Sequence, residues 1–308
     1  MAVIQRLIAF FMSIIAFFAG LFQSGKKPAE PTPAPAVRTF YDVAYGTVER
    51  QTLDLVLPGG AAEERGLILF IHGGAWIFGN KDQYRSALQS AAELGYAAAA
   101  INYRYLSDSV HMDLLMADVG TALTKIAAMA RAEGVTLKKV LLTGTSAGAH
   151  MSLLYAYKYA ELSPIAPAAV VSYCGPTDLC HPDFIERNQL GDEAMMLGLM
   201  NQLTGIPITQ AEYETRTGQY DAWEARLRDY SPLYQVSGST VPTVLGHGQQ
   251  DTVVPFENAA ALDAALTAAG VPHDFVVFPN SGHGLDADPD ASSRMTALLQ
   301  AYAETYLR

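Results

Sequence analysis

Short apolar runs alternate with stretches of helical spacing along most of this chain, and that order restricts the fold more than any other feature. Leu67-Ile68-Leu69-Phe70-Ile71 and Tyr96 to Ile101 lack polar alternation and read as strands buried on both faces. Between them, Asp82 to Leu94 places Ala87, Leu88, Ala91 and Leu94 on one helical face and stops at Gly95. The pattern then predicts a helix over Asp113 to Ala132, a strand over Lys139 to Thr143, a helix over Ala147 to Glu161 and a strand over Ala168 to Tyr173. After an interruption come strand Thr243 to His247, helix Phe256 to Ala269, strand Asp274 to Phe278 and helix Ala291 to Tyr306. Parallel strands need crossover connections, so this order implies an α/β chain with a mostly parallel sheet and helices on both faces. Arg38 to Ala44 and Arg50 to Leu57 precede it as antiparallel edge strands.

The interruption, 178 to 236, has helical pieces, punctuation at Gly205 and Pro207, and no strand pattern. About sixty residues exceed a connecting loop. They are expected to form a small helical cap over the carboxyl ends of the strands, where open parallel sheets bind ligands. The folded domain then spans 37–308, preceded by a segment over 1–25 and a linker over 26–36. Between Arg6 and Lys26 there is no charge for 19 residues, and Leu7 to Phe22 is almost continuously apolar. As a helix this stretch would reach roughly 28 Å, close to bilayer thickness. The expectation is an uncleaved membrane tether through residues 7–22 or a cleaved signal, with a buried core helix as the third reading, and hence an extracytoplasmic, membrane-anchored or secreted protein. Four prolines between Pro28 and Pro35 forbid a helix and read as a semi-rigid spacer or a disordered terminus.

Half of the 308 residues are hydrophobic and 17% are charged, which excludes wholesale disorder. Twenty basic against 31 acidic residues give a net charge of −11, a field that repels phosphate backbones and argues against nucleic acid as a partner. Two cysteines exclude a four-thiolate zinc site, and no metal cluster or phosphate loop is visible, so no cofactor is expected.

Gly144-Thr145-Ser146-Ala147-Gly148 matches G-x-S-x-G. Alone the pattern is weak, but here it follows Val140-Leu141-Leu142 and opens an apolar helix. That context would put the Ser146 hydroxyl on a sharp strand-to-helix turn above the sheet; otherwise the serine is an ordinary helix cap. A serine nucleophile needs a base, and His283 in Asn280-Ser281-Gly282-His283-Gly284 lies after the last strand, at the same sheet edge. His72 is better spent holding its own loop. His247 lies in or at the end of a strand, His150 is one turn into the helix after Ser146, and His111, His181 and His273 read as solvated. Asp251 follows the preceding strand and is the expected partner of His283, with Glu257 and Asp178 as substitutes. Amides of Gly74, Ala75 and Ala147 are candidates to receive the negative charge of an attacked carbonyl, because His72-Gly73-Gly74-Ala75-Trp76 follows a strand and Ala147 begins a helix. Trp76 is a candidate substrate contact.

Taken together, His72-Gly73-Gly74-Ala75-Trp76 with Gly79-Asn80-Lys81, Ile101-Asn102-Tyr103-Arg104, Gly144 to Gly148, Gly175-Pro176-Thr177-Asp178, and Gly248 through Asp251 to Pro255 resemble the α/β-hydrolase carboxylesterases. The likeness is to the hormone-sensitive-lipase-like and feruloyl/acetyl esterase-like branches, with kynurenine formamidase-like enzymes nearby. It covers about 38–308, and the chain order Ser146, Asp251, His283 agrees with it. The resemblance implies an eight-stranded sheet, no cofactor, and hydrolysis of small acyl esters through a serine acyl-enzyme. Ala75 stands where many relatives have a third glycine, and the cap matches no particular member. An amide-cleaving peptidase or formamidase, and a catalytically inactive binding module, are the alternatives on the same fold. In the cap, Met195, Met196, Leu197, Leu199 and Met200 read as an adaptable acyl pocket or as cap core, and Tyr213, Tyr220 and Trp223 as an aromatic-binding cluster or, again, core. Cys174 and Cys180 are either bonded or two free thiols.

Overall fold

The computed structural model describes residues 36–60 and 64–308. Eight strands form one sheet: β1 Arg38–Ala44, β2 Thr52–Leu57, β3 Glu64–Ile71, β4 Ala97–Ile101, β5 Thr136–Thr145, β6 Ala166–Tyr173, β7 Thr243–Gly248 and β8 His273–Phe278. Their order is β1-β2-β4-β3-β5-β6-β7-β8, with β1–β2 and β2–β4 antiparallel and every other pair parallel. The expected α/β-hydrolase architecture is therefore present. From β3 the chain moves outward to β4 and then back past β3 to β5. This reversal opens a crevice beyond the carboxyl ends of β3 and β5, the place where parallel sheets bind ligands.

Helices cover both faces, which is why the central strands carry no polar alternation. Leu67, Leu69 and Ile71 of β3 pack in one core with α2 Met112–Ala132, α3 Ala147–Lys158 and α8 Phe256–Ala268. Ile68 and Phe70 point into the other, against α1 Arg85–Glu93 and α9 Pro289–Tyr306. The alanines of β4, Ala97 to Ala100, are all fully buried, so burial overrides their modest strand preference. One element starts differently from its periodicity. Residues 81–84 form a 3-10 turn ahead of α1 because Lys81, 1% exposed, is drawn under the loop to Asp54 at 2.6 Å and to Asp42 and Asp82. The Lys81 amide donates to Asn102 Oδ1 at 2.8 Å, which joins the Gly79-Asn80-Lys81 segment to the end of β4.

Between β6 and β7 lie α4 Pro182–Glu186, α5 Glu193–Thr204, α6 Gln210–Thr215 and α7 Tyr220–Asp229, followed by a 3-10 turn at Pro232–Gln235. This insertion crosses the carboxyl edge of the sheet. At one end Asn188 Nδ2 donates to Val253 O, beyond β7. At the other, His111 Nδ1–H, beyond β4, donates to Gln202 O at 2.7 Å, so His111 anchors the cap and is not merely solvated.

The expected membrane tether and the anchored or secreted location drawn from it are corrected here. Among the described residues no helix is long and apolar enough to cross a membrane. The longest, α2, has 21 residues but carries Asp113, Asp118, Lys125 and Arg131, charges that hydrocarbon would not solvate. Residues 7–22, on which the expectation rested, and the linker lie outside the described residues. Cys174 and Cys180 are free thiols.

Candidate active site

At the end of β5 the chain reverses into α3 through Ser146, whose φ of 52° and ψ of −123° lie where only glycine is comfortable. The turn is held from both sides: the Ser146 amide donates to Tyr173 O at 2.8 Å, and Ser146 O accepts from the His150 amide at 2.9 Å. Gly148 explains how the helix fits so close to β3, since a Cβ there would lie 2.0 Å from Ile71 O. Ser146 is thereby placed at the crevice, 6% exposed.

The structure brings Ser146, His283 and Asp251 together from the ends of three strands. His283 Nε2 is 2.9 Å from Ser146 Oγ, and His283 Nδ1 is 2.6 Å from Asp251 Oδ2. The other carboxylate oxygen accepts from the Val253 and Val254 amides at 2.8 and 2.9 Å. Burial alone would raise the Asp251 pKa, but the charge of His283 and the hydrogen bonds from His247 and His283 outweigh it and hold the carboxyl below its usual range. An ionised Asp251 can only accept, so His283 carries its proton on Nδ1 and turns the Nε2 lone pair toward the serine hydroxyl. Glu257 lies in α8 outside this arrangement. Asp178 closes its own turn through the Cys180 amide at 2.9 Å.

Beyond β3 the chain turns tightly through positive φ at Gly74 (119°), Ala75 (45°) and Trp76 (60°). Glycine is needed at 74, because a Cβ would meet Phe78 O at 2.3 Å. Gly74 O accepts from the amides of Ile77 and Phe78 at 2.9 and 2.8 Å and closes the turn. Among the described residues the amides of Gly74 and Ala75 have no acceptor. The Ala147 amide opens α3 and has no acceptor within the helix.

Trp76 is 2% exposed and gives its indole N–H to His150 Nδ1 at 3.2 Å, while His150 Nε2–H donates to Tyr230 O at 2.8 Å. A sequence-expected substrate contact is thus spent on tying the loop to α3 and the cap. Burial pushes the His150 pKa down to about 4 and that of His72 to about 3, so both are neutral rings near pH 7. His72 stacks on Tyr103 with ring centroids 4.3 Å apart and donates from Nδ1 to Gly73 O at 2.7 Å. Arg50 lies beside it, donating to Tyr103 O at 2.9 Å with its guanidinium 3.6 Å over the Tyr105 ring.

Sequence reasoning passed over His247. Its Nε2–H is shared between Val254 O at 3.0 Å and Asp251 Oδ2 at 3.3 Å, so two imidazoles flank one carboxylate. The only signal was position, four residues before Asp251 at the end of a strand. Cys174, His247 and Asp251 also have donor atoms close enough to share a cation, but burial pushes the Cys174 thiol well up into its protonated form, and both carboxylate oxygens are already engaged. In the cap, Tyr213, Tyr220 and Trp223 pack on one another with centroids 5.7 to 6.2 Å apart. Met196, Leu197 and Met200 are buried as core, whereas Met195 and Leu199 line a groove.

A sheet of this order, with a sharp serine turn after β5, an acid after β7 and a histidine after β8, defines an α/β-hydrolase fold. Within that class the chain belongs to the BD-FAE family, whose model matches residues 53–266; a second model, the dienelactone hydrolase family, matches 227–306. The probable carboxylic ester hydrolase LipM of Mycobacterium tuberculosis is 29% identical over 86% of this chain and 61% of its own length. Esterase LipQ of the same organism is 26% identical over 83% of this chain and 59% of its own. The chain thus spans about six tenths of these curated relatives. Among solved structures, a truncated carbohydrate esterase from gut microbiota superposes with a TM-score of 0.69 at 21% identity, covering 91% of this chain and all of that one, a likeness of fold.

Proposed function

We propose that this protein is a serine carboxylesterase that hydrolyses small acyl esters through an acyl-enzyme. The observation that carries the reading is the unbroken relay from Ser146 Oγ through His283 to Asp251, at 2.9 and 2.6 Å, mounted on a strained elbow. Ser146 Oγ attacks the ester carbonyl as His283 Nε2 takes its proton. Negative charge then develops on the carbonyl oxygen, where the amides of Gly74, Ala75 and Ala147 are free to receive it. His283, now cationic and stabilised by Asp251, returns the proton to the departing alcohol oxygen. Water, deprotonated by the same ring, attacks the acyl-Ser146 carbonyl, and the ring returns that proton to Ser146 Oγ as the acyl–oxygen bond breaks and the acid leaves.

A fluorophosphonate probe tests the reading directly: it should label the wild type at Ser146 and leave Ser146→Ala unlabelled. Failure to label, or activity of Ser146→Ala within tenfold of wild type, sinks the assignment. Comparing matched ester and anilide substrates then separates an esterase from an amide-cleaving enzyme on the same apparatus.

A further inference from the structure

Resting on that reading, we infer that Arg50 is a positioning residue that acts through the His72 ring to aim the Gly74 amide at the carbonyl oxygen of the ester. Arg50 lies half-buried in the turn between β1 and β2, and its guanidinium reaches both ends of the turn beyond β3. One terminal nitrogen, Nη2, donates to His72 Nε2 at 3.3 Å and to Gly79 O at 3.2 Å, while Nε donates to Tyr103 O at 2.9 Å. Among the described residues no carboxylate forms an ion pair with it; carbonyls and the Tyr105 ring, 3.6 Å away, hold the charge.

The direction of these hydrogen bonds follows from the donors. A guanidinium has no lone pair to offer, so His72 Nε2 must accept, and the single proton of the neutral ring sits on Nδ1. The ring stays neutral because burial, helped by the guanidinium charge, pushes its pKa down to about 3. The Nδ1–H group then donates to Gly73 O at 2.7 Å. Gly79 leaves room for that bond, since a Cβ there would lie 2.4 Å from both His72 Nδ1 and Gly73 O. Stacking on Tyr103, whose hydroxyl donates to His72 O at 2.9 Å, fixes the plane of the ring.

The consequence for the reaction is set by the peptide bond. Gly73 O and the Gly74 N–H belong to one planar trans peptide and point in opposite directions. Holding the oxygen against His72 therefore turns the N–H away from the ring, where it has no acceptor among the described residues. The turn needs such a hold, because Ala75 and Trp76 both keep a positive φ that is costly outside glycine, and an untied turn would relax out of it. A hydrogen bond weakens steeply as its donor swings off line, so a misaimed amide stabilises the oxyanion less.

The test uses the full chain and p-nitrophenyl acetate. Arg50→Met and His72→Phe should each lower kcat by roughly ten- to hundredfold with KM within about twofold, short of the loss of a whole oxyanion donor. Inhibition by trifluoroacetone, whose Ser146 adduct carries the same oxyanion, should weaken by the same factor as kcat/KM. Because both substitutions cut one chain of contacts, the double variant should lose no more than about threefold beyond the less active single variant. Tyr105→Phe removes the other hydrogen bond to Gly79 O, at 2.6 Å, without touching His72, and should retain kcat within about threefold. Losses that multiply in the double variant, a Tyr105→Phe as poor as Arg50→Met, or an Arg50→Met with wild-type kcat each overturn the inference. If Arg50→Met does not fold, Arg50→Lys, which keeps the charge but not the fork of donors, takes its place in the same cycle. A wild type that neither hydrolyses acetate nor takes the fluorophosphonate label overturns the hydrolase reading itself, and is told apart because it fails before any substitution is made.

Discussion

The elbow stores strain that can be measured by removing one carbon atom. Ser146 holds φ 52° and ψ −123° with a Cβ attached, a conformation that costs about 1–3 kcal/mol outside glycine. Ser146→Ala and Ser146→Gly both delete the hydroxyl and its 2.9 Å contact with His283, so they differ only in the Cβ. Glycine relieves the strain but loses about 0.5–1 kcal/mol more chain entropy on folding. The difference leaves Ser146→Gly more stable than Ser146→Ala by about 1 kcal/mol, or about 2 °C in Tm for a chain of this size. Urea unfolding at pH 7, with thermal melts alongside, reads it out, and both variants should be inactive toward esters. A glycine variant equal to or less stable than the alanine variant would show that the turn is unstrained and that the nucleophile is not held by the fold against its backbone preference.

Asp251→Asn should lower kcat by about three to four orders of magnitude, through loss of imidazole orientation and imidazolium stabilisation. Asp178→Asn and Glu257→Gln should stay within about threefold, and a larger loss from either would mean that Asp251 is the wrong acid. His247→Phe should reduce kcat by about tenfold with KM little changed, since it removes a donor from the Asp251 carboxylate; steady-state kinetics showing a KM effect alone would refute the positioning role. His150 is buried neutral with a pKa pushed down from 6.5 to about 4, so as pH falls through that interval the unfolded chain binds a proton that the native state refuses. The stability present above pH 6.5 should drop by about 3 kcal/mol on this account by pH 4, and His150→Gln should flatten that part of the slope in urea titrations; an unaltered slope would refute it.

Much of the frame was legible before any tertiary contact was known, for a local reason. Buried parallel strands must be apolar on both faces, so Leu67 to Ile71 announced itself as a run, and each crossover helix showed its own spacing of apolar residues. Tight turns likewise name their residues: Gly74 and Gly148 are glycines because a Cβ would collide with Phe78 O and Ile71 O. The boundary at Lys81 was not legible, because its partner Asp54 is 27 residues away and burial of that pair reshapes the start of α1.

From sequence alone, then, came the element order, the elbow around Ser146, and the positions of Asp251 and His283 after successive strands, all of them properties of residues a few places apart. Only the tertiary structure decided what meets across the chain. It closed a contact between Ser146 and His283 over 137 positions, spent Trp76 on His150 and so on the cap, and set His247 beside Asp251. The reason is physical: a turn or a periodic face is dictated by local sterics and hydrophobicity, whereas the partner of a buried polar group is whatever the packed sheet brings within hydrogen-bonding reach.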